Sequence, residues 1–457
     1  MRSRGNIAVI DIGKTNAKVV LVGGDDLHEI DMRTMPNVVI DGAPYPHYDV
    51  EALWAFIEAG LAQFHAAHGI AAISITAHGA SGALLDQTGS LAAPILDYEH
   101  TGPDQLAAEY DARRPAFAEI GSPRLPRGLN LGAQLYWQFS TFAGLFDRTC
   151  RIVTYPQYWA FRLTGVAATE VTSLGAHTDL WNPHQARFSS MVDALGWREK
   201  FAPVRRAGDV LGKIRPEIAA RTGLAAGTPV CCGIHDSNAS LLPYILANDA
   251  PFSVISTGTW VIVMTVNGKQ LTLDPMRDTL INVSANGNKV PSARFMGGRE
   301  FERLMQGRET DYSEADIDAV LEKSAMLWPS IEPTSGPFPG RTPRWSCDPE
   351  TLSDGERAVV ASFYLAVMTN VCLQLTGSRG QLFVEGAMAS NAAYKKMLSA
   401  VTGQDIVSAT GTGTSTGAAM LVAPASRPPL QNPPDRFAEA GRDPLMAYAQ
   451  GWAAGLI

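Results

Sequence analysis

Ile7-Ala-Val-Ile-Asp-Ile-Gly-Lys-Thr-Asn-Ala-Lys-Val-Val-Leu-Val-Gly-Gly24 reads as a strand, a tight polar loop and a second strand, because β-branched residues flank a glycine-containing turn. The pattern returns at Phe252-Ser-Val-Ile-Ser-Thr-Gly-Thr-Trp-Val-Ile-Val-Met-Thr-Val-Asn-Gly268. An offset of 256 − 11 = 245 lays Ser256 on Asp11, and the same offset lays Val254 on Val9, Gly258 on Gly13 and Gly268 on Gly23. One hairpin heads each half of the chain. Such a repeat predicts a duplicated domain with a cleft between the halves. Chance likeness of two hairpins is the alternative. The boundary is expected near residues 240–252, which divides the chain into 1–245 and 246–457.

Outward from the hairpins, Asp49 to His68 carries Leu53, Phe56, Ile57, Gly60, Leu61 and Phe64 at helical spacing and is predicted as a helix. Ala71 to Thr76 reads as a short apolar strand, with His78 and Gly79 in the loop after it. Ser353 to Thr376 is a long helix. Glu332 to Arg344 is rich in Pro and Gly and is expected as a surface loop. The Pro-rich segment Ala423–Pro434 ends the last packed helix, and the tail after it is expected to dock on the surface.

At roughly 100–200 residues per domain, 457 residues predict two or three domains. With 46% hydrophobic and 18% charged residues, the chain is built to bury a large core. Its formal charge is 37 − 45 = −8 and no basic run stands out, so it lacks the footprint of a nucleic-acid binder. The five cysteines form no C-x-x-C pair and read as reduced thiols. No signal-peptide h-region is visible, and no apolar stretch is expected to reach the ~18 residues of a membrane-spanning helix. The expectation is a soluble, cytoplasmic protein without a membrane partner.

Asp11, Gly13, Lys14, Thr15, Asn16 and Lys18 share one turn. Amides of a glycine-containing turn can cradle phosphate oxygens, and hydroxyl and ammonium groups add charge-assisted bonds. A carboxylate at the strand end can hold Mg2+, usually through water. The alternative is an ordinary solvated hairpin turn. Ser256-Thr-Gly-Thr259 is the matching loop of the second half. Asp236, in Gly233-Ile-His-Asp-Ser-Asn-Ala239, follows a short apolar run. There it can serve as a general base or as a helix N-cap. His235 beside it reads as structural. Glu385-Gly-Ala-Met-Ala-Ser-Asn391 follows a strand, and its small residues allow a flat ring to approach the backbone.

Two motifs mislead. Gly411-Thr-Gly-Thr-Ser-Thr-Gly417 resembles a dinucleotide fingerprint, but its last Gly is one residue late and no acidic ribose partner follows. Gly79-Ala-Ser81-Gly-Ala resembles a nucleophile elbow, but strand and turn follow it where an elbow needs a helix. No G-x-x-x-x-G-K-[ST] loop is present, so an ATP site must be of another kind.

Together these residues resemble the FGGY carbohydrate kinases over residues 7 to about 422. Asp11-Ile-Gly-Lys-Thr-Asn-Ala-Lys18 is similar to the family's first phosphate loop, and Ser256-Thr-Gly-Thr-Trp260 to its second. Tyr158-Trp-Ala-Phe-Arg-Leu-Thr-Gly165 resembles its helix ending in R-L-T-G. Gly223-Leu-Ala-Ala-Gly-Thr-Pro-Val-Cys-Cys-Gly-Ile-His-Asp236 resembles the block that holds its base, and Gly386 to Gly403 its adenosine segment. The resemblance implies an α/β chain of two actin-like (ribonuclease H-like) domains flanking a catalytic cleft. It also implies ATP, Mg2+, a ketose or polyol acceptor and closure of the halves over substrate. It casts Asp236 as base and as a metal and substrate contact. Asp11 would orient the metal. Gly13, Lys14, Thr15, Asn16, Lys18, Gly258 and Thr259 would contact phosphates, and Gly386, Ala387 and Asn391 the nucleoside. His78 and Gly79 would contact the sugar. A homodimer is compatible with the family.

Three departures touch acceptor recognition. Thr76 replaces a Gln two residues before His78. The W-x-D-x-R segment becomes Asp97-Tyr-Glu-His-Thr101. Gln134 replaces the Lys of K-x-x-W. The Gly-Thr-Trp loop is most similar to the fuculokinase- and rhamnulokinase-like members, which points to L-fuculose or L-rhamnulose. A kinase of xylulose, ribulose or glycerol stays open, as do a non-catalytic sugar or ATP sensor of this fold and an ATPase acting on a protein partner.

Overall fold

A computed structural model describes residues 5–249, 251–409, 413–423, 435 and 442–456. Gly411 and Thr412 of the fingerprint-like run, and residues 424–434 of the Pro-rich segment, lie outside them. The chain divides into two compact units. One holds Met1–Ala247, Ile281–Lys289 and Thr412–Pro429; the other holds Asn248–Leu280, Val290–Gly411 and Leu430–Ile457.

In the first unit the opening hairpin is strands Ile7–Ile12 and Asn16–Val22. Every side chain of Ile7–Ile12 is buried, as expected for a strand inside a sheet covered on both faces. The sheet runs Val210–Lys213, Pro229–Cys231, Ala72–Ala77, Ile7–Ile12, Asn16–Val22, Glu29–Pro36, with Ile234–His235 also paired to Ala72–Ala77. Helix Val50–His68 starts where Asp49 accepts from the Ala52 amide at 3.0 Å, and it stops at Gly69, φ 74°. It lays Leu53, Ile57, Leu61 and Phe64 on the core. Gly60 lets it approach the sheet, since a Cβ there would stand 3.1 Å from Val19.

The second unit repeats the plan. Phe252–Thr257 pairs antiparallel with Val261–Val266 and parallel with Gln381–Gly386, as Ile7–Ile12 pairs with Asn16–Val22 and Ala72–Ala77. Lys289–Phe295 extends this sheet on one side and Ile406–Ser408 on the other. The 245 offset holds on the first strand of each hairpin and fails on the second. Ile7 faces Val22 and Phe252 faces Val266, so the first strands differ by 252 − 7 = 245 and the second by 266 − 22 = 244. The second turn is one residue shorter. Asn267, not Gly268, therefore takes the place of Gly23, and the match of those two glycines is a coincidence of composition.

Ser353 and Glu356 form a capping box at the start of helix Asp354–Leu375. Contrary to the sequence expectation, this helix is long and apolar enough to cross a membrane by length and composition. Of its most apolar window, 78% is buried inside the structure. Val359, Phe363, Leu365 and Met368 fill the core of the unit, so the apolarity has a local use. The loop 332–344 is also less superficial than expected: Glu332 and Ser335 are buried, and Glu332 pairs with Arg303 at 2.5 Å. In the tail, helix Arg442–Ala454 sends Leu445, Tyr448 and Trp452 into the same core.

Candidate functional site

Three strands of the first unit run parallel side by side. Asp11 lies beside Thr76, Ile234 lies on the other side of Thr76, and His235 lies beside Ala77. Asp11, His78 and Asp236 therefore come out together at the carboxyl ends of adjacent parallel strands, where α/β sheets place their ligands.

Asp236 begins helix Asp236–Ala247 and splits its carboxylate between two tasks. Oδ1 accepts from the Ser237 amide at 2.6 Å and the Ser237 hydroxyl at 3.3 Å. His235 Nε2 lies 3.2 Å from the same oxygen. Oδ2 takes none of these bonds, and the side chain is 29% exposed. Asp236 is the first residue of the helix and accepts from the amide of the very next residue, so this bond is not the N-cap bond the sequence also allowed, which would reach an amide two or three residues on. Burial pushes the His235 imidazole below the usual histidine range. Asn238 Nδ2 stands 3.2 Å from His235 Nδ1, so a neutral ring accepts there and donates Nε2–H to Asp236. Gly79 makes room for that ring: a Cβ at 79 would lie 2.7 Å from His235 Nε2. The His235 amide in turn donates to Thr172 Oγ1 at 3.0 Å, and Thr172 Oγ1 donates to Glu170 at 2.6 Å.

Asp11 is buried, and its Oδ2 accepts from Thr414 Oγ1 at 2.5 Å and Ser415 Oγ at 3.3 Å. Burial raises its pKa most; Thr414 opposes this, the charge of Asp236 adds to the rise, and Lys18 opposes it. Two carboxylates that disfavour each other's charge fit a shared cation. Among the described residues no group of three or more His, Cys, Asp or Glu gathers. Mg2+ needs only one or two carboxylates beside phosphate and water, so the Asp11–Asp236 pair suits it.

His78 is buried, and burial lowers its pKa to about 4. Nδ1 lies 2.8 Å from the Gly79 carbonyl and so carries the proton of the neutral ring. Nε2 is left as an acceptor with no partner among the described residues. The rings of Tyr48, Tyr98 and Tyr155 surround it at 5.3, 5.4 and 4.8 Å. Lys14 turns toward this cluster: its ammonium pairs with Asp97 and lies 3.5 Å from Glu99. Gln134 donates to the Ala80 and Gly128 carbonyls, which fixes the loop after His78. Thr15 and Asn16 are exposed, and their turn is closed by the Gly13 amide on the Asn16 carbonyl at 2.9 Å.

In the second unit, Gly258 and Thr259 are exposed at the tip of the second hairpin. Thr257 Oγ1 donates to the Glu385 carbonyl at 2.5 Å and accepts from the Met388 amide at 2.9 Å, which ties this loop to the Gly386–Asn391 segment. Gly386, φ 83°, is required there, since a Cβ would fall 2.0 Å from the Thr257 carbonyl. Gly386 and Ala387 are exposed. Asn391 is mostly committed. Its Oδ1 accepts from Tyr394 N and Tyr312 OH, and its Nδ2 donates to Ser362, so three of its hydrogen-bonding positions are taken.

Sequence reasoning missed Thr414 and Ser415, whose run of small hydroxylic residues was weighed only as a dinucleotide loop. It also missed Glu170 and Thr172, which carry no chemical motif.

Against known proteins, residues 6–243 match the FGGY family of carbohydrate kinases, N-terminal domain, and residues 249–429 match carbohydrate kinase FGGY, C-terminal domain. An L-fuculokinase of Salmonella typhi is 25% identical over 278 residues, 58% of this chain and 57% of that protein. A rhamnulokinase of Bacillus subtilis is 25% identical over 194 residues, 42% of this chain and 40% of that protein. The matched stretches span 57% and 40% of the length of these two curated relatives. Among solved structures, a carbohydrate kinase from Novosphingobium aromaticivorans superimposes with a TM-score of 0.92 at 36% identity, over 99% of this chain and 98% of that one. A xylulose kinase from Rhodospirillum rubrum gives 0.80 at 17% identity over 98% of each chain, a likeness of fold.

Proposed function

The chain belongs to the FGGY family of carbohydrate kinases, and from that premise we propose that it transfers the γ-phosphoryl group of ATP to a terminal hydroxyl of a small sugar. One observation supports the chemistry above the others. Asp236 holds one carboxylate oxygen fixed and the other open, next to a neutral His78 whose Nε2 lone pair lacks a partner among the described residues. An alcohol needs such neighbours. Asp236 Oδ2 takes the hydroxyl proton, His78 Nε2 accepts from another hydroxyl, and His235 and Ser237 keep the carboxylate in place. The sugar oxygen forms its bond to phosphorus as the bond from phosphorus to the β–γ bridging oxygen breaks, and ADP departs.

Gly13, Thr15, Asn16, Lys18, Gly258 and Thr259 would contact phosphates, and Gly386 and Ala387 would border the nucleoside. Asp11 and Asp236 would hold Mg2+, which when bound neutralises charge on the phosphate oxygens. Relatives named L-fuculokinase and rhamnulokinase support a deoxyketose acceptor such as L-fuculose or L-rhamnulose.

An ADP-release screen over L-fuculose, L-rhamnulose, xylulose, ribulose and glycerol tests the acceptor; much faster turnover of xylulose, ribulose or glycerol would overturn the deoxyketose assignment. Asp236→Ala is expected to keep ATP binding by calorimetry and to lose about 10²–10⁴-fold in turnover. Activity within a few fold of wild type would remove Asp236 from the role of base.

A further inference from the structure

We propose that Lys14 is a specificity-determining residue that reads an oxygen of the sugar acceptor, not a phosphate ligand, and that the acceptor it selects is uncharged. The inference rests on the phosphotransfer reading above.

Lys14 springs from the turn that the sequence assigns to phosphate, yet its side chain leaves that turn. The ammonium pairs with Asp97 Oδ1 and stands 3.5 Å from Glu99 Oε2. It lies over the Tyr98 ring at 4.8 Å and the Tyr48 ring at 5.2 Å. Both rings border His78, and the charges of Lys14 and Asp236 both act on that imidazole. Lys14, Asp97, Tyr48, Tyr98 and His78 are thus linked by contact into one cluster, and the charge of Asp236 acts on its imidazole.

Charge decides which partner the ammonium can serve. Asp97 is buried and also accepts from Tyr48 OH at 3.3 Å and the Glu99 amide at 3.2 Å, so it is firmly held. One ammonium faces two carboxylates, and the local balance is negative. A phosphate oxygen approaching Lys14 would meet that balance as repulsion. A hydroxyl or ketone oxygen would not, and an ammonium with three N–H groups has donors left after Asp97. The same balance disfavours a carboxylate on the acceptor. The cluster therefore selects neutral polyhydroxy compounds over sugar acids.

A bland role for Lys14 is counter-ion to the buried Asp97. Two variants separate the roles: Lys14→Met, and Lys14→Met with Asp97→Asn, which removes both charges. Steady-state kinetics would use the fastest acceptor of the five-sugar panel, with Tm measured alongside. Lys14→Met is expected to raise the acceptor KM about tenfold or more, as for a lost charge-assisted bond, and to leave the ATP KM within about twofold. The double variant is expected to recover Tm and keep the raised acceptor KM. A rise in ATP KM in place of acceptor KM would overturn the proposal. So would recovery of the acceptor KM in the double variant, or gluconate outpacing every neutral sugar. Failure of the phosphotransfer reading itself would show in the wild type, as an absence of sugar-dependent ADP release, and would take this inference with it.

Discussion

Glu170 is a fully buried carboxyl group. It accepts from the amides of Thr172 and Ser173 and from the Thr172 hydroxyl, and through Thr172 it supports the His235 backbone. Burial outweighs these bonds and pushes its pKa up to about 7, from 4.5. A folded pKa above the unfolded one means that the folded protein holds the extra proton between those values. The stabilisation is full below 4.5 and is lost as pH rises through about 7. His78 runs the other way. Its pKa falls to about 4, so its contribution is present above 6.5 and is lost as pH drops toward 4. Both proteins in a comparison of wild type with Glu170→Gln contain His78, so its effect cancels. The stability difference should shift in favour of Glu170→Gln between about pH 5 and pH 8, by roughly 3 kcal/mol, the energy of a displaced pKa of this size. Thermal melts at several pH values measure it. A pH-independent difference would show that Glu170 is ionised throughout.

Helix Gly413–Met420 carries Thr414 and Ser415 to Asp11 while lying against helix Asp236–Ala247. The closeness depends on Gly417, where a Cβ would fall 1.8 Å from the Ala239 carbonyl oxygen. That oxygen is backbone, so the helices must separate to admit even one methyl group. Gly417→Ala is expected to cost about 1–3 kcal/mol in denaturant unfolding, as overpacking does, and to lower turnover because Thr414 leaves Asp11. Wild-type stability in that variant would mean that the contact is not tight. None of this was legible in the sequence, since the two helices are far apart in the chain and no local period joins them. Local features were legible for the opposite reason. The hairpins and the helices begun at Asp49 and Ser353 each rest on patterns of residues a few positions apart. The 245 offset was right until it crossed a turn, because register depends on loop length, which composition does not reveal. Lys14 shows the same limit at the site: its turn was visible, but its partner Asp97 lies 83 residues away.

The duplication seen in the two hairpins is real at the level of strand order, yet neither unit is one continuous stretch of chain. The first unit borrows Ile281–Lys289, whose Val283 packs in a core with Leu174, Trp181 and Met191. It also borrows the helix after residue 412, whose Ala418, Ala419 and Met420 pack with Ile7, Val9, Val20 and Leu242. Ser74 Oγ donates to the Ala418 carbonyl at 2.6 Å, which pins that helix over the sheet. Residues 1–247 alone would keep every strand of the first sheet and lose part of the cover of one face, where Ala239 and Leu242 of helix Asp236–Ala247 would remain beside Ile7, Val9 and Val20. An apolar sheet face left partly open favours association and a loosely packed state. The fragment 1–247 should therefore bind a hydrophobic dye and melt without a cooperative transition. Joining residues 412–423 to it through a flexible linker should restore part of the cooperativity, because the helix buries the exposed apolar side chains again. Circular dichroism melts and dye fluorescence on the two fragments make the comparison. A sharp transition without dye binding in 1–247 would mean that the first half folds without the borrowed segments, and that the contacts of Ala418–Met420 serve the placement of Thr414 at Asp11 more than the stability of the unit.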